Sequence, residues 1–235
     1  MEQEMKPNEG KNGIIEVNGK KYLRIPIKTH LVTDKDDITD VAKQYGSPVL
    51  EQKDDILFIS EKCVACTQKR AIPMDEIKPR KLAVKLSDHV VKTPYGIGLG
   101  MPETMEYALR ECGTVRILFA AAVSVIGKKI FHKNGWFYNI AGEKARSIDG
   151  PCHNTIPPYN NYVVLGPENP DKVAKEIKNV IGHDVLIVDI NDLGGNIMGA
   201  SDKNIDRALY SKVLKDNPLG QDRQQTPMGV IREVE

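Results

Sequence analysis

A strand–helix–strand segment in the C-terminal half constrains the fold of this chain more than any other feature. The apolar runs at residues 162–165 and 184–188 have the length of buried strands. Between them, residues 173–181 place Val, Ala and Ile on one helical face, and Gly182 follows as a natural stop. This order predicts a right-handed crossover between parallel strands. We therefore expect an α/β fold of mixed α+β type, with this βαβ crossover in a mixed sheet.

The second strand of this segment ends at Asp189, and polar residues follow over 191–196. In open α/β sheets, the carboxyl ends of the strands border the ligand crevice. Carboxylate and amide oxygens suit Mg²⁺ or Mn²⁺, and glycines let backbone N–H groups approach a phosphate. The pattern thus indicates a metal or phosphate site in a loop after Asp189. An ordinary acidic loop stays equally open, because Asn, Asp and Gly are turn residues in any case.

Other segments carry local patterns of regular structure. Asn18-Gly19 predicts a tight hairpin turn, and Pro26, which lacks an N–H group, is expected at a strand end or sheet edge. Residues 1–13 are expected to form a flexible arm and residues 14–235 a single domain. Further predictions are a helix over 38–46, a strand over 56–59, a turn or helix over 61–70, a helix from Pro102 ending near Gly113, a helix from about Asp202 and a turn-rich tail over 217–227. The apolar run 115–126 fits either a helix or a strand.

Charge and composition exclude several classes of partner. The chain has 33 Lys+Arg against 32 Asp+Glu, a net charge of +1, whereas nucleic-acid and membrane-surface proteins carry clustered positive charge. Its longest apolar run is shorter than the roughly 20 residues that cross a bilayer. Residues 1–7 have no signal-peptide pattern, and the four cysteines are expected to be reduced thiols. We expect a cytoplasmic protein with no nucleic-acid or membrane partner.

Three weaker motifs each have a simpler explanation. Asp149 could be a second hard ligand, but Asp-Gly-Pro is also an ordinary turn. Cys63 and Cys66 have the spacing of half a zinc site or of a redox pair, yet no second pair follows, which favours buried thiols. The glycines within residues 96–100 precede a helix as phosphate loops do, but lack the spacing of a known phosphate loop.

Five segments, taken in order, resemble a known family. They are the apolar-Pro-apolar turn at 25–28 with Asp-Asp-Ile at 36–38, the strand and following segment at 54–64, Asn-Ile-Ala-Gly at 139–142, Leu-Gly-Pro-Glu-Asn-Pro-Asp at 165–171, and the strand ending at Asp189. Together they span most of the chain. The set resembles the γ-glutamyl ligases that add glutamate to the deazaflavin coenzyme, factor 420.

This resemblance implies a γ-glutamyl-ligase-like fold, a homodimer and an enzyme that joins a small-molecule carboxylate to L-glutamate. It implies GTP or ATP as co-substrate and Mg²⁺ or Mn²⁺ as cofactor. The metal ligands that it implies are Asp149, Asp189, Asn191 and Asp192, with residues 143–147 as an insertion before Asp149. The nucleotide contacts that it implies are Ile25, Pro26, Ile27, Lys28, Lys62, Asn154, Gly194 and Gly195.

Three positions differ from the family pattern. Cys66 replaces a nucleotide-contacting lysine, Ile190 replaces a threonine, and residues 224–227 stand where the family has a glycine-containing nucleotide loop. An alternative function is therefore a non-catalytic metabolite- or nucleotide-binding protein that kept the ligase fold. A redox or zinc protein built on Cys63 and Cys66 is a third, more remote interpretation.

Overall fold

The computed structural model describes residues 6–90, 98–131, 136–192, 194–220 and 222–234. In these ranges the strands are β1 (Ile14–Val17), β2 (Lys20–Ile27), β3 (Ile56–Ser60), β4 (Ala71–Pro73), β5 (Tyr162–Val164), β6 (Asp184–Asn191), β7 (Gly194–Ala200) and β8 (Met228–Val234). The α-helices are α1 (Ile38–Val41), α2 (Glu61–Thr67), α3 (Lys81–Ser87), α4 (Pro102–Glu111), α5 (Thr114–Phe131), α6 (Trp136–Ala141), α7 (Glu143–Arg146), α8 (Pro170–Ile181) and α9 (Arg207–Val213). A π-helical turn covers Ala42–Gly46, and 3₁₀ turns cover Ser47–Val49, Met74–Glu76 and Tyr159–Asn161.

Contacts divide the chain into two units. Met1–Lys69 and Pro167–Glu235 make up the first unit, and Arg70–Gly166 make up the second. The second unit is thus one uninterrupted stretch inserted between the two halves of the first. The domain boundaries expected from the sequence stay a prediction.

A six-stranded mixed sheet forms the centre of the first unit. Its strand order is β1-β2-β8-β3-β6-β7. β3 and β6 are parallel, and the other neighbouring pairs are antiparallel. Consequently β2, β3 and β6 run in the same direction, and their carboxyl ends lie at one edge. Near that edge, Ile27, Met228, Ile59 and Ile187 are paired in one row across four strands.

The mixed α/β fold class is confirmed, but one strand of the predicted crossover is wrong. The helix and the second strand exist as α8 and β6, whereas the parallel neighbour of β6 is β3 and not the segment 162–165. That segment forms β5, which pairs with β4 in a separate two-stranded sheet of the second unit. A parallel strand needs neighbours that bury both of its faces. The apolar side chains of β3 are fully buried and meet that need, whereas β5 is three residues long.

Local patterns at the start of the chain are confirmed. Asn18 and Gly19 have φ angles of 54° and 78°, which is the left-handed turn that joins β1 to β2. β1 pairs with β2 no further than Leu23. Pro26 therefore lies past the end of β1, where the sheet has an edge on that side and the missing N–H group removes no strand-to-strand hydrogen bond.

The predicted helices exist, with one boundary corrected. Asp37 caps α1 by accepting a hydrogen bond from Thr39 N at 2.7 Å, and the π-helical turn extends the helical segment to Gly46 as predicted. The helix expected from Asp202 begins instead at Arg207. Asp202 accepts from Asn204 N within a turn, and Asp206 provides the N-cap instead.

The apolar run 115–126 lies in α5, which settles the choice between helix and strand. Ile117 and Ala120 are buried in the core of the second unit, together with Met105, Leu109 and Ile148. Within the described residues, no helix is both long and apolar enough to span a membrane.

β8 is the most central of the elements that the sequence analysis missed. It lies between β2 and β3, so it occupies a central position in the sheet. The sheet is buried on both faces: Leu57, Ile59 and Ile187 pack on one face, and Phe58, Leu186 and Val188 on the other. This packing fixes the positions of the strands, and with them the edge of the sheet at which β2, β3 and β6 end.

Candidate functional site

The edge formed by the ends of β2, β3 and β6 collects most of the predicted ligands, and we call it the carboxyl edge. Lys28 follows β2, Lys62 lies in the first turn of α2 directly after β3, and residues 189–192 end β6 and turn toward β7. Gly194 begins β7 as that strand leaves the same edge. β3 and β6 are neighbours, and β2 lies three strand spacings from β6, roughly 14 Å away. The candidate groups of the first unit thus border one stretch of the sheet.

The segment after Asp189 is a hairpin, so the predicted loop over residues 191–196 is wrong. β6 continues to Asn191 and, after two residues, returns as β7. Pairing with β7 satisfies the backbone groups that a loop would leave to solvent. Asp189 and Asn191 are two residues apart in a strand and therefore lie on one face. Ile190 is on the other face, where it packs against the core.

The strand register changes just before Asp189. Leu186 and Ile187 pair with Ala200 and Gly199, but the pairing shifts by a residue between Ile187 and Val188. Bulges of this kind bend a strand and change the direction of the side chains that follow. The extra residue, Met198, lies on β7, so the bulge bends β7, whereas β6 keeps its regular alternation up to Asp189.

The two glycines predicted to contact a nucleotide differ in their surroundings. A Cβ atom on Gly195 would lie 2.6 Å from Ile190 Cγ2, so a side chain at this position would clash within the hairpin. Gly194 has no heavy atom within 4 Å of the corresponding position. Gly195 is therefore explained by packing, and Gly194 is the better placed of the two for a phosphate contact.

Lys11 holds the turn of this hairpin. Its Nζ donates to Asp192 Oδ1 at 2.6 Å and to the Asp216 carbonyl at 3.0 Å. A lysine from the predicted arm thus neutralises one of the predicted metal ligands. Asp189 and Asn191 are accordingly the stronger candidates on this strand.

The apolar-Pro-apolar turn contributes mainly through its last residue. The side chains of Ile25, Pro26 and Ile27 are buried, whereas Lys28 is exposed at the carboxyl edge. Gly229 is required opposite them, because a Cβ atom there would lie 2.6 Å from the Ile25 carbonyl oxygen. Any side-chain contact of this turn with a phosphate would come from Lys28.

The tail before β8 also lies at this edge, which the sequence analysis did not anticipate. Thr29 N donates to the Gln225 carbonyl at 3.2 Å, and Gln225 Nε2 donates to the Thr29 carbonyl at 2.8 Å. Ser60 N donates to the Pro227 carbonyl at 2.8 Å. The apolar residues after Pro227 could have predicted a strand here. Such a strand would also have placed residues 225–227 beside the ends of the neighbouring strands.

Asp149 and Asn154 belong to the second unit. Asp149 and Val164 exchange two backbone hydrogen bonds, of 2.8 and 2.9 Å, which adds Asp149 to the edge of β5. Asp149 is half-buried and Asn154 is exposed in the turn that follows. The four predicted metal ligands are therefore divided between the units, with Asp149 in the second and the other three in the first.

Tyr138 is the titratable neighbour of Asp149 in the second unit. Burial raises the pKa of Tyr138, and Asp149 adds to this rise, whereas the Leu99 N–H group and Arg146 oppose it. The phenol of Tyr138 is therefore neutral at physiological pH.

The oxygen donors at the carboxyl edge suit a divalent cation that binds together with a nucleotide. Within the described ranges, no group of three or more His, Cys, Asp or Glu side chains is arranged to hold a metal ion. Mg²⁺ commonly keeps several waters and binds through one or two carboxylates together with substrate phosphates. Asp189, Asn191 and Asp192 provide oxygen donors of that kind, but not a preformed protein cage.

A groove of about 320 Å³ lies at the opposite end of the same strands. The residues that line it include Ile56 and Asp184, the first residues of β3 and β6, and Asp54. None of the predicted site residues borders this groove.

Comparison with known proteins decides the family. The sequence model of the F420-0:gamma-glutamyl ligase family matches residues 26–205, more than half of the chain. The chain belongs to the F420-0:gamma-glutamyl ligase family. It is also 25% identical over 194 residues to the coenzyme F420:L-glutamate ligase of Methanopyrus kandleri, a match that covers 75% of this chain and 68% of that protein.

The match to the ligase family includes Lys28, Lys62 and both predicted metal-binding regions, but ends before α9 and β8. Gln225 and Pro227, which line the carboxyl edge, therefore lie outside it. Cys66, where the resemblance implies a family lysine, is buried in α2.

The Cys63–Cys66 pair has the character of buried thiols, as the sequence favoured. Both side chains are buried, and burial raises the pKa of Cys63 far above its usual value. A thiol in this state is a poor nucleophile and a poor metal ligand. The glycine-rich segment at 96–100 falls partly outside the described residues, which resume at Gly98.

A hydrogen-bonded group of His30, Tyr45 and Asp36, close in sequence to Lys28, was not anticipated. His30 Nδ1 lies 3.0 Å from Tyr45 Oη, and its Nε2 lies 3.0 Å from Asp36 Oδ1. Asp36 also accepts from Thr33 N at 2.7 Å. The Thr33 N–H group, helped by His30, holds the pKa of Asp36 below its usual range. His30 follows Lys28 by two residues, and Asp36 directly precedes the helix cap, which is the signal that sequence reasoning could have used.

Proposed function

We propose that this ligase-family chain forms an amide bond between a small-molecule carboxylate and L-glutamate, using GTP or ATP and a divalent cation. Family membership carries the proposal. The carboxyl edge supports it, because Lys28, Lys62, Asp189 and Gly194 border one stretch of a single sheet. These are the residue types that phosphate and cation binding require.

The chemistry explains why such residues suffice. A carboxylate does not condense with an amine in water, so its oxygen first attacks the γ-phosphorus of the nucleotide, and the nucleoside diphosphate leaves. The amine of glutamate then attacks the acyl carbon of the resulting acyl phosphate, and inorganic phosphate leaves. Catalysis of phosphoryl transfer depends mainly on positioning and on neutralising charge. Lys28 and Lys62 would neutralise phosphate oxygens, and the Gly194 N–H group would donate to one of them.

Asp189, with Asn191 and Asp192, would hold Mg²⁺ or Mn²⁺ against the nucleotide, and Asp149 is the further ligand that the resemblance implies. The cation would supply charge neutralisation at the transferring phosphoryl group. Lys11 would keep Asp192 in place through its ion pair.

The test measures binding and turnover on matched variants. We expect calorimetry with Mn²⁺ to detect GTP or ATP binding, and labelled L-glutamate to be incorporated into F420-0 or a related carboxylate. Asp189→Asn is expected to weaken metal-dependent nucleotide binding by about 10- to 100-fold. Asp54→Asn places the same change on an exposed residue beside the amino end of β3 and should bind as the wild type does. Equal binding by both variants would contradict the role of Asp189.

The second candidate is a non-catalytic nucleotide- or metabolite-binding protein that kept the fold. The buried position of Cys66 favours it, because a buried thiol stands where the resemblance implies a nucleotide-contacting lysine. This function predicts nucleotide binding without incorporation of glutamate. Incorporation of glutamate with any acceptor would exclude it.

A further inference from the structure

The N-terminal segment 8–13 lies along the carboxyl edge and contacts two of its parts. We call this segment the N-terminal strap. Asn8 contacts the tail before β8, and Lys11 contacts both the turn between β6 and β7 and the start of the tail. The match to the ligase family begins at residue 26, so the strap lies outside it. The resemblance to that family therefore gives the strap no role.

Asn8 joins two points of the tail. Its Nδ2 donates to the Pro218 carbonyl at 3.0 Å and to Thr226 Oγ1 at 2.9 Å. Thr226 Oγ1 in turn donates to the Leu219 carbonyl at 2.7 Å. One side chain from the strap therefore closes the tail into a loop and sets where its last residues lie.

The tail carries this contact on to the residue beside Lys28. Gln225, next to Thr226, accepts from Thr29 N at 3.2 Å, and its Nε2 donates to the Thr29 carbonyl at 2.8 Å. Gln225 has a φ angle of 59°, a left-handed conformation that is costly for a non-glycine residue and persists only where the surroundings hold it. Thr29 is buried, and Lys28 directly precedes it. Asn8 thus acts on the position of Lys28 through the tail.

Lys11 acts in a similar way on Asp192. Its Nζ donates to Asp192 Oδ1 at 2.6 Å and to the Asp216 carbonyl at 3.0 Å, and its side chain is only 15% exposed. The Asp192 side chain is 54% exposed, so burial does not fix its carboxylate. A single ammonium group therefore joins the turn of the hairpin to the start of the tail.

The far end of the strap is fixed to the sheet. Arg24 N, on β2, donates to the Gly13 carbonyl at 2.7 Å, and the Arg24 side chain donates to the Asn12 carbonyl. Arg24 also pairs with both carboxylate oxygens of Asp216, and it is 1% exposed. The strap and the start of the tail therefore share one buried anchor in β2.

We propose that Asn8 and Lys11 are positioning residues for the binding of the cation and the nucleotide. Each acts through another group: Asn8 holds the segment beside Lys28, and Lys11 holds Asp192. Because both groups are held before the ligand arrives, less free energy is lost in ordering them when it binds. This role rests on the proposed function, since it needs phosphate oxygens at Lys28 and a cation at the turn between β6 and β7. It adds to that function a dependence on residues outside the ligase match.

Amide hydrogen exchange of the ligand-free chain, resolved by residue with NMR, tests whether the strap orders the edge. Asn8→Asp keeps the size of the side chain but replaces the donating NH₂ group by an oxygen that can only accept and repels the Pro218 carbonyl. We expect exchange of Thr29 N, which donates to Gln225, to become at least about 10-fold faster, while the amides of the second unit keep their rates. Glu9→Gln is the matched control, because Glu9 is the exposed neighbour of Asn8 on the strap.

Calorimetry with Mn²⁺ and GTP or ATP tests whether this order matters for binding. We expect Asn8→Asp and Lys11→Met each to weaken nucleotide binding by about 10-fold with little change in the urea midpoint, because ion pairs with an exposed partner add little to global stability. Lys11→Arg keeps donors for both oxygens and should restore most of the affinity. In turnover assays, the KM for the nucleotide should rise more than kcat falls.

The outcomes separate positioning from general loosening. Unchanged exchange of Thr29 N in Asn8→Asp, or wild-type nucleotide affinity in both variants, would overturn the positioning role. An equal loss of affinity in Glu9→Gln, or faster exchange throughout the chain, would overturn it as well. If the wild type binds no nucleotide, the proposed function fails and the role in binding fails with it, whereas the exchange rates still show whether the strap orders the tail.

Discussion

Arg232 forms a two-point ion pair with Asp55 inside the first unit. Arg232 Nε donates to Asp55 Oδ1 at 2.9 Å, and Nη2 donates to Oδ2 at 2.7 Å. The pair connects β8 to the turn that precedes β3, and both residues are buried. It therefore fixes the central strand of the sheet to one of its neighbours.

This pair predicts a pH-dependent stability. Burial alone would raise the pKa of Asp55, but Arg232 and the N–H groups of Gln52 and Glu51 outweigh burial and hold the pKa below its usual value. Its stabilising effect is complete above the unfolded-state pKa of about 3.9 and is lost as the pH falls through the lower folded-state pKa. We expect Asp55→Asn to cost about 3 kcal/mol at neutral pH, with the difference from the wild type shrinking below about pH 4.

Urea denaturation across a pH series measures this effect. Asp54→Asn is the control, because Asp54 is the exposed neighbour of Asp55. A constant difference between the wild type and Asp55→Asn down to the lowest pH would refute the assignment.

Gly229 allows β2 and β8 to approach each other. A Cβ atom at this position would lie 2.6 Å from the Ile25 carbonyl oxygen and 2.7 Å from Phe58 Cζ. The first contact is with backbone, which cannot turn away, so we expect Gly229→Ala to lower the free energy of unfolding by about 2–3 kcal/mol. Gly13→Ala is the control, since its nearest contact would be 3.7 Å from Pro7 Cγ. Chemical denaturation of both variants compares them, and equal stability would show that the strands can move apart.

The pair between Lys11 and Asp192 should make a measurable contribution to stability. Exposed ion pairs contribute about 0.2–1 kcal/mol, and Lys11 also donates to the Asp216 carbonyl. We expect Lys11→Met and Asp192→Asn to show a coupling energy of about 0.5–1 kcal/mol in a double-mutant cycle, and a smaller one in high salt. A coupling energy near zero in low salt would mean that the contact adds nothing.

The cysteines should differ sharply in reactivity. Cys152 is exposed, whereas Cys63 is buried and its pKa is strongly raised by that burial. We expect iodoacetamide to modify Cys152 at least about 10-fold faster than Cys63 in the native protein. Mass spectrometry of timed samples resolves the two sites. Similar rates in the native state would contradict the burial of Cys63 in α2. Similar rates that appear only after unfolding would not.

Features fixed by neighbouring residues were predictable from sequence. Asn18-Gly19 can adopt the left-handed turn that the hairpin requires, and Asp37 lies where a helix cap is needed, so both patterns identified their structures. Pro102 at the start of α4 and Gly113 after its end are of the same kind. In each case the backbone preference of one or two residues determines the structure.

Features that depend on distant partners were not predictable in this way. The segments that form β3 and β6 are more than 100 residues apart in sequence, and local spacing favoured the nearer segment 162–165 as the parallel partner. The hydrogen bonds of Gln225 to Thr29 and of Lys11 to Asp192 likewise join remote parts of the chain. At the candidate site, the sequence and the resemblance therefore proposed Asp189 and Lys28 but not the segments packed beside them.

The position of β8 has a consequence for biosynthesis. Residues 228–234 leave the ribosome after all the other strands of the six-stranded sheet have been synthesised, although β8 lies between β2 and β3 in that sheet. The hairpin of β1 and β2 therefore cannot join the other strands of the nascent chain until translation has passed that point. The second unit is contiguous and comes out of the exit tunnel earlier, so it can fold while the two halves of the first unit are still apart.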